Sequence, residues 1–170
     1  MTAPIDNQSN EDIVRWTMAS MADHFVNTVN ASISPAPPIS VTGYTLNAFE
    51  TQDHVEMRMI GPHVDDASGG GFAQYELGLS FLFTFRQDGV KDMFTIDRWL
   101  GVYADALRKP LDVYKRGDGV GDDESLVGCF QLRKNSRDLI RVDRYGFMDS
   151  NVHVQQATVV STHWMWVQWT

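Results

Sequence analysis

The stretch His54-Val55-Glu56-Met57-Arg58-Met59-Ile60 leads into Gly61-Pro62. After the segment His63-Val64-Asp65-Asp66-Ala67-Ser68-Gly69-Gly70-Gly71, a second extended run follows, Tyr75-Glu76-Leu77-Gly78-Leu79-Ser80-Phe81-Leu82-Phe83-Thr84-Phe85-Arg86. Side chains of a strand alternate between faces, so a period-two pattern reads as half-buried strand. The two runs predict a β-hairpin whose first strand ends at Gly61-Pro62 and whose arms are joined by a long, mobile, acidic loop. In the second arm Tyr75, Leu77, Leu79, Phe81, Phe83 and Phe85 share a face predicted to be buried. Glu76, Gly78, Ser80, Leu82 and Thr84 line a mixed one.

Outward from the hairpin, the pattern changes period. Ser9 begins a helix as a cap, and Glu11 and Asp12 suit the positive end of the first turn. Ile13, Trp16, Met21, Phe25 and Val29 recur at helical spacing and predict a helix over residues 10–30. His24 borders that stripe as a core or boundary histidine. Ser34-Pro35-Ala36-Pro37-Pro38 ends the helix as an extended spacer, and Ile39 to Tyr44 reads as a strand. After the hairpin, Ile96, Trp99, Leu100, Tyr103 and Leu107 mark a second helix over residues 93–108, stopped by Pro110. Strands are predicted at 111–115, 126–132, 139–145 and 152–169. The last is long enough to bend or exchange partners midway, with Val154, Thr158, Val160, Thr162, Trp164 and Trp166 in one register. Trp164-Met165-Trp166-Val167 is too apolar to stand free in water and reads as core or subunit contact. Runs of strands with two helices indicate a single α+β domain: a mainly antiparallel sheet with both helices on one side, preceded by a loose tail at residues 1–9.

At 170 residues the chain is long enough to bury a core without staples. No apolar run approaches membrane-spanning length, and Met1 to Gln8 shows no basic-then-apolar leader pattern. Its one cysteine, Cys129, rules out an internal disulfide framework and reads as an inert buried thiol in a reducing compartment. The net charge of −8 argues against a general nucleic-acid binder. The excess lies in residues 1–90, with three basic residues against eleven acidic ones; residues 91–170 hold eleven of each. Such asymmetry fits either a solvated acidic face or a subunit whose acidic side meets a less acidic side of its neighbour.

Few constellations carry chemistry. Gly117-Asp118-Gly119-Val120-Gly121-Asp122-Asp123-Glu124 offers hard oxygen ligands for a cation at Asp118, Asp122 and Asp123, but its spacing matches no calcium loop. That loop supports the alternative reading, a small metal- or ligand-binding domain or enzyme. Gly69, Gly70 and Gly71 make no phosphate loop, because no Lys-Ser/Thr follows and a strand lies behind them. Asp65 and Asp66 on such a loop would be poorly held as acid and base. The five histidines contain no HxxxH or HxH pair, there is no GxSxG, and Cys129 has no histidine nearby in sequence. No cofactor is expected. Arg133, Lys134, Arg137, Arg141 and Arg144, interleaved with Asp138 and Asp143, form a basic cluster that fits a solvated strand face, contact with an acidic neighbour or, third in order, contact with nucleic acid.

Several features together resemble the tail-terminator or neck subunits of long-tailed bacteriophages. They are Ile13 to Trp16 followed by His24-Phe25, Glu56-Met57-Arg58 running into Gly61-Pro62, the glycine-rich loop, and the Tyr75-led strand. Tyr145-Gly146-Phe147 and Gln155-Gln156 complete the set. The likeness is diffuse and spans most of residues 11–165. It implies a non-catalytic virion protein, made in the host cytoplasm, that forms a homo-oligomeric ring, usually hexameric, at the head-proximal end of the tail tube. Its partners would be the tube protein and the neck or connector proteins, and DNA would pass through without being read. On this reading the subunit-interface candidates are Glu56, Arg58, Asp65, Asp66, Gly69 to Gly71 and the basic cluster.

Overall fold

A computed structural model describes residues 10–41, 53–65, 72–86, 93–115, 125–133, 140–147 and 154–168. Helix α1 (Asn10–Asp23) continues through a wider π-helical stretch, His24–Val29, and a tight 3-10 turn, Asn30–Ser32. Strands β1 (Ile39–Val41), β2 (His54–Asp65) and β3 (Phe72–Arg86) follow, then helix α2 (Met93–Leu107). The chain closes with β4 (Leu111–Tyr114), β5 (Leu126–Leu132), β6 (Ile140–Phe147) and β7 (Val154–Gln168). The expected α+β architecture is present. The predicted strand at 39–44 is seen at Ile39–Val41, and its remainder lies outside the described residues.

The seven strands form one sheet in the order β1-β2-β3-β7-β5-β4, with β6 also on β7. Among the described strands only β1 runs parallel to its neighbour, β2; the other pairs are antiparallel. The long last strand does exchange partners. One edge of β7 pairs with β3 throughout. The other edge pairs with β6 from Gln155 to Ser161, then with β5 at His163 and Trp164.

Both helices cover the face carrying the odd-numbered residues of β3. Tyr75, Leu77, Leu79, Phe81 and Phe83 are fully buried there, and Ala73 and Phe85 nearly so. Burying a large apolar side chain is worth about 1.5–3 kcal/mol, so this strand is the main apolar floor of the domain. Phe25 from the π-helical stretch and Tyr103 from α2 meet over it. Phe25 lies 4.6 Å from Phe81 between ring centroids, and Tyr103 lies 4.9 Å from Phe81 and 5.0 Å from Phe83. Helix α1 also reaches β4, at the far end of the strand order, so the sheet curls around it. Ser20 fastens that contact: its Oγ accepts from the Tyr114 N–H at 3.0 Å.

The hairpin differs from the expected one. Its first strand does not stop at Gly61-Pro62; it continues to Asp65, and β3 begins at Phe72, so the connection shrinks to residues 66–71, outside the described residues. The register explains why. Ile60 faces Gly78 and His63 faces Glu76, so Gly61 and Pro62 together oppose the single residue Leu77. This is a β-bulge, which tolerates a proline that has no N–H for the ladder. Gly61 has φ +93°, and a Cβ there would lie 2.7 Å from the Glu76 carbonyl oxygen. Only glycine fits without strain. Gly61→Ala should therefore lower unfolding stability by about 1–3 kcal/mol, read from the midpoint of chemical denaturation. An unchanged midpoint would show that the bulge is not strained.

Candidate interaction surface

Residues directly opposite in an antiparallel pair share a face, so the register of β2, β3 and β7 draws the outer surface of the sheet. Ile60, Gly78 and Thr162 form one row, and His63, Glu76 and Trp164 the next. Beyond them lie Gln74 opposite Trp166, and then Phe72. The bulge keeps this face continuous, because two residues against one return His63 to the side that Ile60 occupies.

The even-numbered register of β7 thus points outward, while Ala157, Val159, Met165 and Val167 are buried with Ser161 and His163. The bulkier series, Val160, Trp164 and Trp166, stands opposite the mixed face of β3. Trp166 keeps 47% of its surface exposed, Phe72 45% and Ile60 61%. Trp164 is half-buried and meets Trp166 edge to face, with centroids 5.9 Å apart. Phe72 is a diagonal neighbour of Trp166, within aromatic reach. The small residue Gly78 floors a groove of about 180 Å³ walled by Ile60, Ser80 and Thr162, with His63 and Glu76 at its end. Arg133, just past β5, spans to Glu76 with Nη1 3.0 Å from Oε2, both side chains half exposed. Among the described residues, seven large hydrophobics are exposed, and five of them, Ile60, Val64, Phe72, Leu126 and Trp166, lie toward the same end of the sheet. At that end β2 and β7 finish and β3 and β5 begin. An apolar cluster with a polar rim is the usual composition of a protein contact.

The sequence candidates fall in different places. Glu56 is buried, 5% exposed, with its carboxylate 3.0 Å from Arg58 Nη2 and 3.6 Å from Nε2 of the buried His54. It therefore belongs to a local ion cluster on β2, while Arg58 itself is exposed. Arg133 borders the surface just described. Arg141 pairs with Asp143 at 2.6 Å on β6, and Arg144 pairs with Asp97 of α2. The described part of the basic cluster is thus divided among three separate ion pairs. Asp65 ends β2 opposite Gln74. Asp66, Gly69, Gly70, Gly71, Lys134, Arg137, Asp118, Asp122 and Asp123 lie outside the described residues. Among the described residues no group of three or more His, Cys, Asp or Glu could hold a metal, and no helix is long and apolar enough to cross a membrane.

Ile60 and Phe72 were not singled out from sequence. The signal was the doublet Met59-Ile60, which forces one of two adjacent apolar side chains outward. For Phe72 it was an aromatic residue immediately after the glycines, at the true start of the strand.

A buried polar pair also emerges that the sequence reading did not contain. Ser161 Oγ lies 2.8 Å from His163 Nε2, and the imidazole is fully buried. Its Nδ1 has no partner among the described residues. Burial pushes its pKa down to about 4, so the ring is neutral and a weak base at neutral pH. With no exposed surface it serves packing rather than proton transfer to a substrate. Cys129, expected to be buried, is only partly so; desolvation, with Asp112 nearby, still pushes its thiol up to about 11, where the reactive thiolate is scarce. His24 sits at the boundary, edge to face with Phe25, and burial lowers its pKa against the opposing pull of Asp112 and Asp23.

His163 carries a pH signature. Its folded pKa is depressed, so between about pH 6.5 and 4 the unfolded chain takes up the proton first. The stability due to its neutral burial is present above pH 6.5 and is lost as pH falls, by up to about 1.4 kcal/mol per unit. Replacing His163 by Gln should flatten the decline of melting temperature with acidification over that window relative to the parent. Parallel profiles would refute this assignment. No family model matches the chain, and no curated protein matches it.

Proposed function

We propose that the chain is a non-catalytic assembly subunit of a long-tailed bacteriophage virion, a tail terminator or neck protein. It builds a ring, hexameric by the resemblance, at the head-proximal end of the tail tube. The observation that carries this reading is the exposed Ile60, Phe72 and Trp166 surface at one end of a long, rigidly paired hairpin. A solitary protein gains nothing from exposed aromatic side chains at a strand end, whereas a subunit uses them as contact anchors.

Two further features support it. The strand order separates the chain's halves: β1, β2 and β3 from the acidic half occupy one side of the sheet, and β4 to β7 from the charge-balanced half the other. Two sides built from different strands suit head-to-tail contacts, and such contacts can close into rings. The acidic surplus also suits a conduit that must not grip passing DNA. The buried polar groups, Glu56 and the Ser161–His163 pair, serve the fold and offer no accessible chemistry.

The test is tail-tube assembly followed by electron microscopy. Added to polymerising tube protein from its own phage, the chain should appear as a ring at one tube end and halt lengthening there. Tubes that reach the same length with bare ends would defeat the proposal.

A further inference from the structure

We infer that the outer face around Trp166 and the Gly78 groove is where a second copy of this chain docks, with Trp166 of one copy seated against the groove of the other. The inference adds a face-to-face contact between copies to the head-to-tail contacts of the assembly reading, and it rests on that reading only in requiring self-association.

Three observations select a second copy. The first is charge. Two chains of net charge −8 repel, so they can approach closely only where the local charge is balanced. This face is such a place: its described charges come in opposite pairs, Arg133 with Glu76 at 3.0 Å, Arg58 with Glu56 at 3.0 Å and Arg141 with Asp143 at 2.6 Å, and the first pair is exposed enough to exchange partners across a contact. The surroundings are uncharged Gln74, Gln131, Ser80 and Thr162, with His63 at the groove end. A strongly basic or acidic partner would find no complement here.

The second is shape. The same face carries both an anchor and a receptacle. Trp166 projects, and Gly78, four residues away in register, leaves a groove of about 180 Å³ beside Ile60. A large apolar side chain is what such a groove accepts, and the chain displays one beside it.

The third is area. Large side chains offer about 150–250 Å² each when fully exposed, so Trp166 at 47%, Phe72 at 45% and Ile60 at 61% exposure together offer roughly 300–400 Å², within the range of the largest functional patches on monomers. With a rim of comparable size this approaches the ~800 Å² per partner of a stable contact.

The experiment is sedimentation of the full chain across protein and salt concentration, with three variants whose melting is checked alongside. The parent mass should rise from that of the 19.2 kDa monomer to a discrete dimer or larger closed species. Added salt should favour that species, because it screens the repulsion between acidic copies. Trp166→Glu and Ile60→Glu, both at exposed positions, should hold the chain monomeric with little change in melting. Val142→Glu, at an exposed apolar residue on β6 away from the face, should behave as the parent does.

A parent that stays monomeric throughout would overturn the inference. So would variants at 166 and 60 that associate like the parent, equal dissociation by Val142→Glu, or association that salt weakens. The two proposals can fail separately. Association through Trp166 without any effect on tail tubes removes the virion role and keeps the contact. Tube capping by a chain whose association ignores Trp166 does the reverse.

Discussion

The Tyr103–Asn30–Pro37 relay ties together the three parts of the molecule that have no strand pairing to hold them. Tyr103 on α2 donates its hydroxyl to Asn30 Oδ1 at 2.9 Å, and Asn30 Nδ2 donates to the Pro37 carbonyl at 2.7 Å. Asn30 is buried, and burial drives the Tyr103 pKa well above its ordinary value, so the phenol stays a donor. The Tyr103 ring meanwhile packs on Phe81 and Phe83 and stacks with Phe25. One side chain thus sits in the aromatic core and fastens the end of the first helical run. Through Asn30 it also fixes the proline spacer that aims β1 at β2, where the Val55 N–H donates to the Pro38 carbonyl at 2.9 Å. A buried amide without partners would cost about 1–3 kcal/mol. Here each of its two polar atoms is used once, and so the short parallel β1 can hold its place on the sheet edge.

The second constraint is β7. It pairs with three strands, and the handover falls at Thr162, between Ser161 opposite Ile140 of β6 and His163 opposite Leu132 of β5. The Arg133 N–H still donates to the Thr162 carbonyl at 3.3 Å, so the ladder is not broken there. Both unusual features of the protein cluster at this point. On the inner side, Ser161 Oγ pairs with His163 Nε2 where the covering strands change. On the outer side, Thr162 stands opposite Gly78, and the missing side chain opens the groove. Removing a side chain from the central strand would weaken a lone hairpin, but β3 is paired on both edges along this stretch and tolerates the loss.

Much of this was legible because the signals were local. The period-two run from Tyr75 to Phe85 named the buried face of β3, and the stripe from Ile96 to Leu107 marked α2. The Leu126–Leu132 strand and the divided pairing of β7 also followed from length and pattern. The hairpin's extent did not. Gly61-Pro62 is the dipeptide of a stop, and only the partner strand, with Leu77 alone opposite two residues, turns it into a bulge. Counting bulky residues in β7 likewise directs attention to the wrong side, since Val160, Trp164 and Trp166 outweigh Ala157, Val159 and Ser161. What decides the face is register with β3, a non-local property. The basic cluster was the least legible. Its arginines are neighbours in sequence, yet their carboxylate partners come from β3, α2 and β6.

These mismatches share a physical origin. Glu56 and His163 are polar and buried, whereas Ile60, Phe72 and Trp166 are apolar and exposed. The buried set is compensated within the chain by the Arg58 and His54 contacts and by the Ser161 hydroxyl. The exposed set is not scattered: it follows the register of one face toward one end of the sheet. Folding alone places no demand for large apolar side chains at positions that keep about half of their surface in water. The bulge at Gly61-Pro62 keeps the surface in phase, because without it His63 would turn to the inner face. A bulge that only glycine can occupy, and that preserves the continuity of an exposed apolar surface, is difficult to explain by the stability of a single chain. It is straightforward if that surface has to meet another protein.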